Sequence, residues 1–527
     1  MASLHHINFD RSSLEEIRKY SHWVNWPVVY LLEDGSEMYV GQSYSAYRRA
    51  KQHLIDHKKT KFTKLHLLTD EEYNMSATTD IESSLIQYMA ADGKFLLQNG
   101  NKGLKDHEYF DRPKYQAKFE IIWETLKKEN LVTQELRQIR NSDLFKYSPY
   151  KSLKQEQYDV AEDLLKEILT HSSRTIIVRG GAGTGKTVMA TYLFKLFKDS
   201  KETQHLKVGL VVPVTALRQT LKKVFKNIKG LKANMVISPS EVVGSSYDIL
   251  LVDESHRLHK RKNITNFRNH DLVNKALDLG TEGDELDWVI KSSRYQIFFY
   301  DPKQNVHPSG VSQSKFEDLK TVTYDLNQQL RLKGGDGALR YERFIQDFFA
   351  NEKPQSVDFG EYDFRLFDDF SAMVSEIKEK ETQHSLARMI SGYAWEWVSK
   401  KNPELHDIEI QGVNLKWNSV NQNWVYSDNA INEVGCIHTV QGYDLNYAGL
   451  IIGPELGYDE SKNEFVIYRD NYKDKNGRNG VDDLDELKSY ILNIYQTLML
   501  RGVLGIYVYV VDPHLRKHLK KVLSLSK

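Results

Sequence analysis

Apolar and polar positions along this chain fall into two regimes. In the first, short apolar runs are paired: Val28-Val29-Tyr30-Leu31-Leu32 and Met38-Tyr39-Val40-Gly41 flank Glu33-Asp34-Gly35-Ser36, a turn-forming spacer that predicts a β-hairpin. Helices are predicted over 45–57 and 79–91, the second because Ile81, Leu85, Ile86 and Met89 fall at helical spacing. Residues 114–153 read as helical, charged and free of motifs, and are expected to form a connector. The second regime begins there. A helix to about residue 169 leads into a strand over 175–179, a glycine cluster and another helix from Lys186. Further apolar strands are predicted at 208–212, 249–252, 295–300, 448–452 and 505–511, with helical stretches between several of them. That alternation predicts an α/β protein with two parallel sheets in tandem. Residues 456–486 are rich in Asp, Asn and Lys and are expected to be a polar loop insertion.

Composition narrows the class. At 527 residues, 40% hydrophobic and 27% charged with 11 prolines, the chain is long enough for three to four folded domains and excludes disorder or collagen-like repetition. A single cysteine, Cys436, excludes a disulfide scaffold and a multi-cysteine zinc site. No run approaches a membrane span and the amino terminus lacks a signal pattern, so the expectation is a cytoplasmic protein without a membrane partner. The 72 basic residues balance 72 acidic ones, which at first argues against a phosphate-bearing partner. Local charge reverses this. Between residues 44 and 64, seven basic side chains face one acid, Asp56, with Tyr44, Tyr47, His53 and His57 among them, a mixture suited to a phosphate backbone and to stacking on bases.

Gly180-Gly181-Ala182-Gly183-Thr184-Gly185-Lys186-Thr187 fits G-x-x-x-x-G-K-[ST] between a predicted strand and a predicted helix. Glycines let backbone N–H groups close around phosphate oxygens, the helix start adds positive potential, Lys186 reaches the outer phosphates, and Thr187 can ligate Mg²⁺. An apolar strand then ends in Asp253-Glu254, the arrangement in which Asp253 holds Mg²⁺ and Glu254 activates the attacking water. Together the two motifs specify hydrolysis of a nucleoside triphosphate. Gln304 follows a third strand where it can sense the γ-phosphate, and Arg331 and Arg501 each stand near an element end, where arginines can stabilise a transferring phosphoryl group.

The order of these motifs resembles the superfamily-one helicases, and more narrowly the schlafen-type helicase-like domain, over about 153–512. The likeness rests on the phosphate loop, Val212-Pro213-Val214-Thr215, Asp253-Glu254-Ser255-His256-Arg257-Leu258, Gln329-Leu330-Arg331, His438-Thr439-Val440-Gln441-Gly442 and Arg501-Gly502. It implies two tandem RecA-like P-loop domains, over 153–332 and 333–527, using ATP and Mg²⁺. It further implies that Gln157 reads adenine, Gln304 senses the γ-phosphate, Arg331 and Arg501 are arginine fingers, and Thr439, Gln441 and Gly442 couple nucleotide state to nucleic acid. Leu500 stands where the family has Thr, which sets Arg501 apart from the pattern.

The hairpin, with Tyr30 and Tyr39 in its strands and Gly41 ending the second, resembles the GIY-YIG nucleases over about 28–101, although Val28-Val29 replace Gly-Ile. Arg49 and His53 follow on one helix face, then Glu82, then Asn99. The resemblance implies that tyrosine polarises the attacking water, Arg49 steadies the scissile phosphate, Glu82 holds one Mg²⁺ or Mn²⁺, and Asn99 or Asn101 supports the site. Phosphodiester cleavage needs one metal-held carboxylate, one cation and one proton acceptor, and this block supplies each.

The organisation expected is a small α+β GIY-YIG-type domain over 1–112, a helical connector over 113–152, and the two RecA-like domains. The function expected is an ATP-dependent motor fused to an endonuclease, acting on DNA ahead of RNA, in phage or plasmid defence, with a homo-oligomer or a defence protein as further partners. Two alternatives stand beside it: an ATPase regulated by nucleic acid whose amino-terminal block only binds, and an ATP-gated protein-interaction switch.

Overall fold

In the computed structural model, residues 2–101, 106–264, 266–304, 307–420, 423–440 and 443–524 are described. The first sheet contains β1 (Ser3–Asn8), β2 (Val28–Glu33), β3 (Glu37–Ser43), β4 (Lys64–Thr69) and β5 (Leu96–Leu97) in the order β1-β4-β2-β3-β5. The predicted hairpin is β2–β3, antiparallel, with Tyr30 opposite Gly41. Every residue of β2 is buried because both faces of this strand are covered. Val29 and Leu31 face the helix Met75–Asp92, whereas Val28, Tyr30 and Leu32 face a second cluster built on Ile17, Trp23 and Phe62.

The second sheet is parallel throughout. It contains β6 (Arg174–Gly180), β7 (Val208–Val211), β8 (Val236–Ile237), β9 (Tyr247–Val252), β10 (Ser293–Tyr300) and β11 (Val322–Leu326) in the order β11-β6-β10-β9-β7-β8. β6 lies between β11 and β10, so the glycine loop leaves the sheet at its carboxyl edge, where α/β proteins place ligands. β9 is apolar on both faces because helices cover both, the expected pattern for a parallel strand.

The third sheet contains β12 (Asp363–Phe367), β13 (Ala387–Ser391), β14 (Ile408–Ile410), β15 (Val413–Trp417), β16 (Glu433–Cys436) and β17 (Leu445–Ile452). The chain then forms a separate antiparallel hairpin, β18 (Leu456–Asp459) and β19 (Glu464–Ile467), before returning to the third sheet as β20 (Gly502–Val510). The order is β12-β20-β17-β13-β16-β15-β14, parallel except at the β14–β15 edge. The loop expected over 456–486 is therefore corrected. Leu456, Tyr458 and Phe465 are buried at alternating strand positions, and the helix Leu484–Met499 begins before its end. The polar composition hid a two-residue period.

The segment expected as a connector forms the helices Arg112–Lys128, Leu136–Asn141 and Asp143–Lys146. Tyr115, Phe119, Ile122 and Trp123 enter a continuous apolar core that also holds Leu85 of the amino-terminal unit and Ile176 and Leu193 of the first motor lobe. The amino-terminal unit and that lobe thus share one core. The second lobe has its own, on the two faces of the third sheet. It meets the amino-terminal unit, of which these connector helices are part, through polar bonds: Arg137 Nη2 donates to the Gln383 carbonyl at 2.8 Å, Tyr426 donates to Asp143 at 2.7 Å, and Asn446 donates to Asn141 at 3.1 Å. Among the described residues no helix is long and apolar enough to cross a membrane.

Trp123 is fully buried, and its indole donates to the Gln134 carbonyl at 2.9 Å. Trp123→Ala is expected to cost about 3–5 kcal/mol. In urea unfolding the loss should reach both the amino-terminal unit and the first lobe, since one core serves both; a loss confined to the amino-terminal unit would contradict the shared core.

Candidate functional site

The glycine loop joins β6 to the helix Lys186–Asp199. Gly183 and Gly185 have φ of +84° and +82°, the left-handed region, and a Cβ at either would collide: 2.0 Å from Gln329 Oε1 at Gly183 and 2.4 Å from Gln157 Nε2 at Gly185. Those two glutamines hold the loop. Gln157 Nε2 donates to the Thr184 carbonyl at 3.0 Å, and Gln329 Nε2 to the Ala182 carbonyl at 2.7 Å. The loop is thus braced from the helix Gln155–Thr170 on one side and from 328–331 on the other. Lys186 Nζ donates to the carbonyls of Gly180 and Gly181 at 2.7 and 2.8 Å and lies 3.5 Å from Asp301 Oδ2. Gln304 donates to the same carboxylate at 2.6 Å, so it is tethered beside the lysine.

β9 delivers Asp253 and Glu254 to this edge. Asp253 is completely buried next to Thr187 and Lys186; burial and Glu254 push its carboxyl well above the usual range. Among the described residues neither of its oxygens closes a hydrogen bond. A buried acid with open oxygens beside a threonine hydroxyl fits a hard divalent cation whose other ligands are phosphate and water. Glu254 has φ +52°, a strained value for a non-glycine residue, and its Oε2 lies 2.9 Å from His256 Nε2. Despite its burial, His256 and Lys186 hold the Glu254 carboxyl well below the usual range, which keeps it ionised.

Arg331 and Arg501 converge here. Arg331 Nε is 2.6 Å from Asp444 Oδ1, and Arg501 Nη1 donates to the Tyr443 carbonyl at 3.3 Å. Arg257 joins them, unforeseen except as part of the Asp253–Leu258 run. Burial, reinforced by the neighbouring guanidinium groups, pushes Arg257 and Arg501 down to about 10. Each of the three guanidinium groups keeps at least one buried N–H without an acceptor among the described residues. Arg331 and Arg501 line a cavity of about 240 Å³ that contains Gln157, Gly183, Gly185, Lys186, Thr187, Glu254 and Gln304 in its wall, whereas Arg257 lines the neighbouring opening. Lys146, Tyr147 and Lys151, which no motif announced, line it too. Gln441 and Gly442 lie outside the described residues. Thr439 is buried with its hydroxyl 3.3 Å from Cys436 Sγ, and it faces a different opening.

That opening is a cleft of about 1020 Å³ between the two lobes. Its wall carries Tyr393 and Trp397 with Lys400, Lys401, Lys473, Lys475 and Arg478, and only Glu396 and Asp474 as acids. His256 and Arg257 line it from the nucleotide side. The sequence concealed this cleft because its walls come from five separated stretches.

A second constellation sits on the first sheet. The Tyr30 ring lies across Gly41, where a Cβ would be 2.2 Å from it, so only glycine admits the ring. Arg49 Nε donates to the Tyr30 hydroxyl at 3.0 Å and His53 Nε2 is 2.9 Å from the same oxygen. Tyr39 packs 5.5 Å from the His53 ring, and the Lys59 ammonium sits 3.1 Å over the Tyr39 ring centre. Burial, aided by Arg49 and Lys59, pushes His53 down to about 4, so the ring is neutral near pH 7. Glu82 faces Arg49 and the Gln42 N–H; burial nevertheless pushes its carboxyl up to about 7. Asn99 accepts from the Val40 N–H at 3.0 Å and donates to the Val40 carbonyl at 2.8 Å, which fixes β3 beside Tyr39. Asn101 instead donates to the carbonyls of Pro149 and Tyr192, away from this cluster. Among the described residues no three His, Cys, Asp or Glu side chains group as a metal site.

Two parallel sheets with a braced phosphate loop, paired acids and converging arginines define a helicase-like P-loop nucleoside triphosphatase. The description Schlafen group 3, DNA/RNA helicase domain, matches residues 173–512, and the chain belongs to that family. A Saccharomyces cerevisiae protein described as uncharacterized, YPL245W, is 25% identical over 390 residues, covering 65% of this chain and 83% of that protein. Among solved structures, the chain is similar to a Bacteroides Pif1 helicase in complex with ADP-AlF3 and ssDNA (11% identity, 66% of this chain and 91% of that one, TM-score 0.29). It is also similar to the Pif1 helicase of Candida albicans (12% identity, 71% of this chain and 100% of that one, TM-score 0.29).

The raised Glu82 carboxyl sets a pH dependence. A folded-state value of about 7 lies above the ordinary 4.5, so its contribution to stability is complete below pH 4.5 and is lost as pH rises through 7. In chelator-containing buffer, Glu82→Gln is expected to be more stable than wild type at pH 8 by on the order of 1–3 kcal/mol and close to it at pH 5. Thermal unfolding at the two pH values measures this; an equal difference at both would contradict the buried acid.

Proposed function

We propose that this helicase-like ATPase is a motor on single-stranded DNA held in the cleft between the lobes, and that its amino-terminal unit is a metal-dependent endonuclease of GIY-YIG type. The observation that carries the cleavage reading is the contact set at one phenol. Tyr30 is hydrogen-bonded to Arg49 and His53, with Glu82 facing the same arginine. The neutral His53 ring accepts the Tyr30 hydroxyl hydrogen, which turns a lone pair of the phenol oxygen toward an attacking water. Arg49 supplies the positive charge that a phosphorane-like transition state needs. The Glu82 carboxylate would hold Mg²⁺ or Mn²⁺, which would supply positive charge to the phosphodiester. Asn99 keeps β3 and Tyr39 in register with that set.

In the motor, Lys186 and the loop amides grip the phosphates, and Gln157, which braces the loop through the Thr184 carbonyl, is assigned the role of reading the adenine. Glu254, held ionised, orients the attacking water, and Arg331 and Arg501 meet the charge that develops on the transferred group. The Thr187 hydroxyl and Asp253 would hold Mg²⁺, whose positive charge would offset that of the phosphates. His256 and Arg257 lie between Glu254 and the strand cleft, so a strand in the cleft touches the residues that position the hydrolytic acid. Gln304, tied to Asp301 and through it to Lys186, is assigned the role of γ-phosphate sensor on the strength of that tether beside the lysine.

Wild type should nick DNA in Mg²⁺ or Mn²⁺ and hydrolyse ATP faster with single-stranded DNA. Glu82→Ala is expected to abolish nicking and spare ATP turnover, and Lys186→Ala to remove turnover. Stimulated ATPase without any cleavage would leave the amino-terminal unit a binding module, and an ATPase indifferent to DNA and RNA would make the chain a protein switch. In the cleft, Trp397→Ala is expected to weaken single-stranded DNA binding about tenfold, through lost stacking. Fluorescence anisotropy at fixed salt measures it, and unchanged affinity would remove the strand from this cleft.

A further inference from the structure

The nucleotide cavity is lined from three sources: the first lobe, the second lobe through Asp444 and Arg501, and the amino-terminal unit through Lys146 and Lys151. Seven cationic side chains line it against three carboxylates. One of those acids, Asp106, is already paired with Lys154 at 2.7 Å, and Asp444 is already held by Arg331. Among the described residues Lys146 Nζ hydrogen-bonds to the Asp444 carbonyl at 3.3 Å, with Asp143 a second acid nearby, and Lys151 forms no ion pair but lies 5.9 Å over the Phe145 ring. Asp444 is the main opposite charge near both ammonium groups, and near Arg331 as well. Half-buried ammonium groups that share one overcommitted carboxylate are short of negative charge, and a polyphosphate supplies it.

The same segment touches the other site. Ser152, next to Lys151 and also in the cavity wall, has its hydroxyl 2.7 Å from that of Ser83, and Gln87 Nε2 donates to it at 2.9 Å. Ser83 and Gln87 belong to the helix Met75–Asp92 that carries Glu82. Tyr150 and Leu153, on either side of this pair, are buried in the core with Leu85 of that helix.

We propose that Lys146 and Lys151 bind the phosphates of the nucleotide, and that Ser152 passes this contact to the Glu82 helix, so that ATP occupancy governs the amino-terminal site. The proposal rests on the ATP reading above. Binding pulls the 146–152 segment toward the phosphate loop, and because Ser152 is bonded to Ser83, the Glu82 helix is tightened with it.

The test is binding of a fluorescent ATP analogue, with hydrogen exchange over 75–92, in wild type, Lys186→Ala, the pair Lys146→Ala/Lys151→Ala and the pair Lys146→Arg/Lys151→Arg. The alanine pair is expected to bind ATP about tenfold more weakly with an unchanged unfolding midpoint, and the arginine pair to recover most of the loss. Exchange over 75–92 should slow on ATP binding in wild type and stay unchanged in Ser152→Ala, which keeps both lysines. An alanine pair that binds ATP as wild type does, while Lys186→Ala does not bind, would overturn this proposal and leave the ATP reading standing. Wild type that binds no ATP would overturn both. Should the alanine pair fail to fold, Lys151→Gln alone carries the same comparison.

Discussion

Burying charge without a partner costs several kcal/mol per group, and the junction of the three units concentrates such charge. Asp253, Arg257, Arg331 and Arg501 all keep open polar atoms there, among the described residues. No fold would hold them for stability alone, because apolar residues of similar size serve a core better. Their arrangement makes sense as a mould of a triphosphate and its cation. The glutamine braces on the phosphate loop, the left-handed Glu254 and the Asp444–Arg331 pair all keep these groups in place against their own electrostatics.

The first-sheet constellation uses the opposite tactic. There burial removes charge: His53 is driven neutral and Glu82 is pushed toward protonation, while Arg49 remains cationic. The result is a pocket short of negative charge near neutral pH, in which a cation on Glu82 would restore the ionised carboxylate. Gly41 is the steric condition for all of it, since the Tyr30 ring occupies the space of a side chain there.

Much of this was legible in the sequence because chemistry was written in contiguous runs. The phosphate loop, Asp253-Glu254 and the β2–β3 hairpin are local, and local backbone geometry carries them. Arg49 and His53 were legible as one helix face, and their link to Tyr30 came through the resemblance to the GIY-YIG nucleases; the structure brings the three together at the Tyr30 hydroxyl. Lys146 and Lys151 were not, because nothing in Asp143–Lys146 distinguishes a cavity-lining lysine from a solvated one until the second lobe is packed against it. The strand cleft was hidden likewise: Trp397, Lys400 and Arg478 become neighbours only through the third sheet's long connections. The β18–β19 hairpin was missed because its polar turn outweighed Tyr458 and Phe465 in composition. Asn99 and Asn101 could be separated only by seeing which carbonyls each one meets.

The unequal sharing of the core has a mechanical meaning. The amino-terminal unit and first lobe are welded by apolar packing, whereas the second lobe meets the amino-terminal unit through a few polar bonds, such as Arg137 to Gln383 and Tyr426 to Asp143. Bonds of that kind are worth about 1 kcal/mol each and re-form readily with water. The welded pair therefore behaves as one rigid body, and separating the second lobe from the amino-terminal unit costs little by comparison. The amino-terminal site thus sits at a fixed distance from the phosphate loop, set by the shared core and not by the position of the second lobe.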